Sequence, residues 1–440
     1  MKWCAALVAV LLSVIPYVTE ASERISAADI PVDPSQVKGT ITYYSHFYNF
    51  YIDGHMKKWA DGFKKIYPNV EGVRVEVLSD YRNQMGALMA AGDYGDVVEI
   101  MDNMSRADFE IFYEPLNSLG IQNTHFFPEQ YLFDGKYYGF TYGVNAEAVV
   151  YNKTLFAKAG IDRFPRTKTD LFAACKKLRA IGVTPFMLNM NAGWPMQQWD
   201  KEVLAFAGEG DYFGKMLKDP APFSKDKPYG RVLSFIRELI GEGCTETNLT
   251  ATGNVDATLA WQTSLRDMAS GRIGMWFLAN WSIEQILDIE QIVEGGKTIH
   301  STVTTADLGF APLPIDDSGE GKVVMDTDFA VAVSAQSTNK ATAKAFLYYL
   351  LNITDLANSG GFIPGNVNVP ATLPQITELR STKPRFIKLA NPPPEFSSAM
   401  VAAGFDFMTG TYLRPPVLAK DFDEALRDMN KRWATAIGKD

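Results

Sequence analysis

Apolar and polar positions alternate with two different periods along the first hundred residues. Residues 40–44 (TITYY) and 73–78 (VRVEVL) alternate with period two, as half-buried strands do. Between them, residues 56–66 repeat apolar side chains at helical spacing, with Trp59, Phe63 and Ile66 on one face and lysines on the other. Residues 81–91 predict a second helix, closed by Gly92, and residues 97–101 a third strand. The order βαβαβ predicts a parallel sheet with helices on its faces. Ligands of such sheets sit beyond the carboxyl ends of the strands. Those ends are residues 45–51, read as an aromatic loop (SHFYNFY), 79–81 and 102–103.

The stretch 136–155 (KYYGFTYGVNAEAVVYNKTL) surrounds Gly139 and Gly143 with Tyr137, Phe140 and Tyr142. The β-branched run at 148–151 and the cap-like Asn152 follow. A loop, a flexible crossing point, a strand and a helix start suit a hinge between two lobes. Further on, residues 169–181 predict an amphipathic helix with Leu171, Phe172, Leu178 and Ile181 inward, and 182–188 a strand. Residues 189–199 (NMNAGWPMQQW) read as a loop with two tryptophans. Helices are expected at 203–206, 232–240, 258–270, 283–290, 340–351 and 422–433, and strands at 273–278, 308–313 and 329–333. Residues 279–281 read as a turn, 316–322 as a charged glycine turn, and 360–365 as an irregular glycine-rich loop. No internal repeat is visible.

Four hundred and forty residues exceed one compact core and point to two lobes. The composition, 47% hydrophobic and 21% charged, is that of an ordinary globular chain. Residues 1–21 read as a secretory signal peptide: a basic start, an apolar run over 4–18, then small residues at 19 and 21. Cutting there removes Lys2 and Glu20 and leaves the formal net charge at −9, which argues against nucleic acid and anionic membrane surfaces as partners. Cys175 and Cys244 then stand alone. An oxidising compartment permits a bond between them; spacing shows no proximity, and two buried thiols are the expectation. The four histidines lack metal-site spacing, and no nucleophile elbow, C-x-x-C, dinucleotide fingerprint or phosphate loop occurs. No cofactor is expected.

Several short motifs agree in order with one family. Tyr67-Pro68 follows the first helix; Ala91-Gly92-Asp93 and Asp96-Val97-Val98 follow the second. Asp134-Gly135-Lys136, Tyr138-Gly139 and Tyr151-Asn152-Lys153 come next, then Phe164-Pro165-Arg166-Thr167, the GRIGM of 271–275 with Trp281, and the segments 308–314 and 329–351. Together they resemble the extracellular solute-binding proteins of ATP-driven (ABC) sugar importers, the group that includes maltose-binding protein. Tyr94-Gly95 stands where the family has alanine-proline, and Lys168 where it has tryptophan. The last seventy residues carry little of the signature.

The resemblance implies an α/β fold of two lobes, each a mostly parallel sheet flanked by helices, with several hinge crossings. The lobes are expected over 27–143 with 329–372 and over 144–328 with 373–440. It implies a periplasmic, monomeric binder that closes over a carbohydrate and delivers it to a membrane permease. Sugars offer apolar C–H faces edged by hydroxyls, so aromatic platforms and fixed polar groups are required. Trp281 stands where the family places its stacking tryptophan, and Trp194 where it carries another aromatic; Trp199 is a weaker candidate. Asp102 and Asn103 follow the third strand, at a common polar contact of the family. Phe47, Tyr48 and Tyr81 lie at strand ends, where contact with ligand competes with packing. Asn280, Asp326 and Asp328 are further polar candidates, and Phe362 an apolar one. Arg414 would suit an acidic sugar. The alternatives are a two-lobed binder of a polyamine or anion, and an exported carbohydrate-active enzyme, which would need paired carboxylates.

Overall fold

The computed structural model describes residues 26–78, 80–101, 104–247, 249, 257–289, 291–294, 297–407 and 409–439. The signal-peptide stretch, Asp102 and Asn103 lie outside the described residues.

The first lobe is built on a five-stranded sheet. Strands β1 (Gly39–Ser45), β2 (Val70–Val77) and β3 (Val97–Ile100) run parallel with β1 in the middle. The strand Ala330–Val333 adds antiparallel to β3, and the short β4 (Phe140–Thr141) closes the edge. Helix α1 (His55–Ile66) lays Met56, Trp59, Ala60 and Phe63 into the core, the i, i+3, i+4, i+7 stripe that its sequence carries. Helix α2 (Tyr81–Ala91) buries Tyr81, Met85 and Met89. It ends at Gly92, whose φ of 73° needs a residue without Cβ strain.

The second lobe surrounds β5 (Gly143–Asn152), in which every residue is buried. Its order is Arg385–Lys388, Lys322–Thr327, β5, Ile273–Ala279, Thr184–Met187; Leu308–Ala311 and Ile363–Pro364 also pair with β5. One face of β5 (Val144, Ala146, Ala148, Val150) joins a core with Trp276 and Phe310. On the other, Val149 and Tyr151 join a larger core with Trp199 and Val203. A central strand covered on both faces loses the polar alternation of an edge strand, as its sequence does.

Three chain passages link the sheets: Thr141 to Gly143, Thr327 to Ala330, and the approach to Ile363. At Gly143 an added Cβ would lie 2.6 Å from Phe362 Cβ, so the first and third passages touch only because no side chain intervenes. Among the described residues no helix is long and apolar enough to cross a membrane.

Several expectations are corrected. The second-lobe sheet is not mostly parallel: β5 enters from the first sheet against the direction of its neighbours and pairs antiparallel with Ile273–Ala279, Lys322–Thr327, Leu308–Ala311 and Ile363–Pro364. Residues 45–51 are not wholly loop, because Tyr48–Ile52 forms a helical turn that buries Phe50. The 189–199 stretch is two tight turns, and its end belongs to helix α3 (Gln197–Ala207). The helix expected from 283 begins at Trp281. Strand Lys322–Thr327 was hidden by its charged ends. Ile181 is 41% exposed, because its helix ends at Ala180 and the chain turns outward. Cys175 and Cys244 are not free thiols but a disulfide, their Cα atoms 5.2 Å apart.

Candidate functional site

At the carboxyl edge of the first sheet, β1 ends in Ser45, and His46 follows it. Glu99 of β3 lies beneath them, wholly buried. Its carboxylate accepts from Ser45 Oγ (2.8 Å), Tyr43 OH (3.2 Å) and His46 N–H (3.0 Å), and it meets His46 Nδ1 at 2.6 Å. Tyr81 OH donates to the Glu99 carbonyl at 3.0 Å and accepts from its N–H at 2.7 Å. The phenol of Tyr81 is therefore spent on locking β3, a positioning role. Phe47 is also covered, packed 4.6 Å from Phe50 and 5.2 Å from Tyr142 between ring centroids. Phe362 closes the same apolar group, 5.4 Å from Tyr142. Tyr48, by contrast, is 61% exposed. With Tyr51 and Ile52 it forms the open face of its helical turn.

The second lobe presents tryptophans. Trp194 and Trp261 stand 4.7 Å apart, Trp194 and Trp281 5.8 Å, and Trp261 and Trp281 5.9 Å, with planes tilted by 38–55°. All three are half-buried, and none lies flat on another. Their faces form a trough rather than a sealed stack. Trp281 also packs against the first-lobe core, so the trough borders the space between the lobes. Trp199 is 1% exposed and belongs wholly to the core. Trp261 was not among the sequence candidates. It sits on the helix Ala257–Ala269 with Leu265 and Met268, where spacing alone assigns it to a core face.

A polar group, here called the polar floor, gathers at the start of β5 and along the second passage. Asp328, in the second passage, accepts from Tyr142 OH (2.7 Å), Asn145 Nδ2 (3.2 Å) and the N–H of Phe329 (2.9 Å). Asp326 pairs with Lys201 of α3 at 2.6 Å, and Glu147 of β5 meets the same ammonium at 3.2 Å. With its amide oriented to satisfy its partners, Gln198 donates to both Glu147 oxygens, at 2.5 and 2.7 Å. Burial pushes the Glu147 and Asp326 carboxyls upward, Glu147 to about 7, against the pull of Lys201. Burial also opposes the charge on Lys201, but two carboxylates on one ammonium outweigh it and raise its pKa. Asp326 Oδ1 and Asn145 Oδ1 are buried acceptors with no donor among the described residues. A hydroxyl-rich solute supplies donors of that kind.

Asn280 has no spare capacity: Oδ1 accepts from Ala146 N–H at 2.6 Å and Nδ2 donates to the Gly361 carbonyl at 2.7 Å. It clamps the third passage to the second sheet. Arg414 is half-buried and bonds no described residue. Two surface cavities, about 510 and 690 Å³, open elsewhere on the second lobe, beside Phe164 and Lys177 and beside Leu217 and Ile437. Neither is lined by the tryptophans or the polar floor. Among the described residues no three metal-ligating side chains converge.

The same architecture occurs in a solved structure, and two sequence relatives accompany it. A binding protein of an ABC transporter from Bifidobacterium animalis subsp. lactis, solved with mannobiose, superposes with a TM-score of 0.74 at 20% identity, covering 94% of this chain and 99% of that one. An uncharacterized ABC transporter extracellular-binding protein of Pyrococcus horikoshii is 23% identical over 322 residues, 69% of this chain and 66% of that relative's length. A multiple sugar-binding protein of Streptococcus mutans is 21% identical over 68% of both chains. The model of one family, described as bacterial extracellular solute-binding protein, matches residues 53–353. That match takes in the first sheet beyond β1, all three tryptophans, the polar floor and two of the three passages. On this ground the two-lobed chain belongs to the bacterial extracellular solute-binding protein family.

Proposed function

We propose that this protein binds a neutral oligosaccharide between its lobes in the periplasm and delivers it, as a monomer, to the permease of an ABC importer. The proposal includes removal of residues 1–21 and closure of 27–143 with 329–372 onto 144–328 with 373–440. The observation that carries it is the trough of Trp194, Trp261 and Trp281, with ring centroids 4.7–5.9 Å apart. Tilted, half-buried indoles suit the C–H faces of pyranose rings. In the same lobe, Asp326 Oδ1 and Asn145 Oδ1 are buried acceptors with no partner among the described residues, and they suit hydroxyl donors once exposed to the ligand. The sugar-binding relative and the mannobiose-bound neighbour support this reading. Asp102 and Asn103 belong to the proposed site by their place in the sequence directly after β3, and Tyr48 by exposure. The chemistry ends at binding: the protein releases its ligand unchanged.

A thermal-shift screen tests this. The panel holds di- and trisaccharides of mannose, glucose and N-acetylglucosamine, with uronic acids, polyamines and inorganic anions beside them. Ligand at a hundred times its dissociation constant adds about 2.7 kcal/mol. A rise with a neutral saccharide that is recovered intact is the expected result. A rise only with a polyamine or anion overturns the sugar assignment, and turnover of any saccharide overturns the binder.

A further inference from the structure

His46 stands at the carboxyl edge of β1 with its ring between two phenylalanines, Phe47 at 4.0 Å and Phe329 at 4.3 Å between centroids. The two rings fix its plane. Glu99 fixes its rotation, because Oε2 takes both the backbone N–H of His46 and Nδ1. Glu99 is itself immobile, held from Ser45 and Tyr43 and locked through Tyr81. Nδ1 is thus committed. The side chain is still 27% exposed, and no described residue bonds Nε2. A polar atom held this firmly at the ligand edge of a parallel sheet is preorganised for a partner that arrives from the cleft.

We propose that His46 is a ligand-contact residue of the first lobe, donating its Nε2 hydrogen to a hydroxyl or ring oxygen of a neutral saccharide. This rests on the saccharide reading above and names a specificity-determining residue for it.

The surrounding charges select the ligand class. The groups that face the ring are Glu99 from β3, Asp328 from the second passage and the phenol of Tyr81 from α2, 6.3 Å away. Two carboxylates beside one imidazolium leave the corner negative, which disfavours a sugar acid. Burial works against the protonated ring, but Glu99, by charge and hydrogen bond, and Asp328 outweigh it and raise the His46 pKa. Because Glu99 holds the Nδ1 hydrogen, the proton lost on titration leaves from Nε2. The donor then becomes an acceptor, and saccharide affinity falls as pH rises through the folded-state value.

The test is isothermal titration calorimetry with the neutral saccharide that gives the largest melting shift in the screen. It runs from about pH 5.5 to about pH 9, across the ordinary histidine value of about 6.5. Wild-type Kd should rise about tenfold across the titration; His46→Gln should bind about tenfold more weakly at the acid end and show no such dependence. Nitrogen-15 NMR of the wild-type imidazole needs no variant. Saturating saccharide should shift Nε2 and leave Nδ1 nearly unmoved, and Glu99→Gln should lower the titration midpoint. The proposal is overturned if the wild type binds and His46→Gln matches its Kd and pH profile, or if saturating saccharide leaves Nε2 unmoved. A wild type that binds no saccharide on the panel overturns the functional reading, and this proposal falls with it.

Discussion

Removing the disulfide between Cys175 and Cys244 perturbs the second lobe in a way whose size can be worked out. The bond closes a loop of sequence separation 69. Loop-closure entropy for that length is about 4.4 kcal/mol at room temperature, an upper value because native strain and residual unfolded structure reduce it. Both cysteines are buried, at 1% and 0% exposure, so the reduced thiols gain no solvation in the folded state. For a lobe of this size the loss corresponds to a fall of roughly 10 °C in Tm. The link reaches the tryptophan trough. The Cys244 carbonyl accepts from Phe186 N–H at 2.8 Å, and Glu246, two residues on, accepts from Leu188 N–H (3.0 Å) and Asn189 N–H (2.8 Å). Asn189, at φ 55°, begins the turns that carry Trp194. The assay is urea unfolding followed by tryptophan fluorescence, with and without reductant, and repeated on the double variant Cys175→Ala/Cys244→Ala. Among the described tryptophans Trp59 belongs to the first-lobe core and Trp281 packs against it, whereas Trp199, Trp433, Trp276 and Trp261 belong to or pack on the second-lobe cores, so the signal reports mainly the second lobe. Reduction should lower the urea midpoint and loosen saccharide binding by a smaller factor. Two titratable thiols in the unreduced native protein, or an unchanged midpoint on reduction, would refute the reasoning.

Trp261→Ala should weaken saccharide binding at least tenfold by calorimetry, since truncating a central aromatic anchor commonly costs about 2 kcal/mol; an unchanged Kd would remove it from the trough. Glu202 is fully buried, its two carboxyl oxygens find no hydrogen-bond partner among the described residues, and burial pushes its pKa well above the ordinary value. An acid raised in the folded state stabilises fully below its unfolded value of about 4.3 and loses that contribution as pH rises through the folded value. Glu202→Gln should therefore raise Tm under mildly alkaline conditions and change it little near about pH 4, as scanning calorimetry can show. Small-angle scattering with saturating saccharide should show the compact form for Trp261→Ala and a larger open fraction for His46→Gln.

The sheet of the first lobe was legible because its strands and helices carry clean periods. Gly92 and Asn152 announced helix boundaries by chemistry that the structure retains: α2 ends at Gly92, and Asn152 Oδ1 caps Leu155 N–H at 2.9 Å. The polar floor was less visible. Glu99 is a charge inside a strand otherwise made of valine and isoleucine, and a buried acid of that kind marks a held partner. That signal was present, and it would have led to His46. Trp261 offered none, because a cleft-facing indole and a core-facing one share the same helical spacing. The disulfide and the Lys201 cluster depend on contacts between distant segments, and no local pattern encodes them.

The walls of the cleft are chemically unequal, and this bears on how closure is driven. Trp194, Trp261 and Trp281 all extend from the second lobe, so a sugar stacked on them gains the same contact whether the lobes are apart or together. A ligand moves an equilibrium only by its differential affinity for the two states. The driving contacts for closure must come from groups that reach the ligand only when the first lobe arrives, and among the described residues the available groups there are His46 and the exposed Tyr48. Affinity and closure are then separable: loss of an indole weakens binding in both states, whereas loss of the imidazole donor leaves the sugar seated on the open lobe. On the proposal that the permease receives the closed form, a His46 variant would lose transport in greater proportion than it loses affinity.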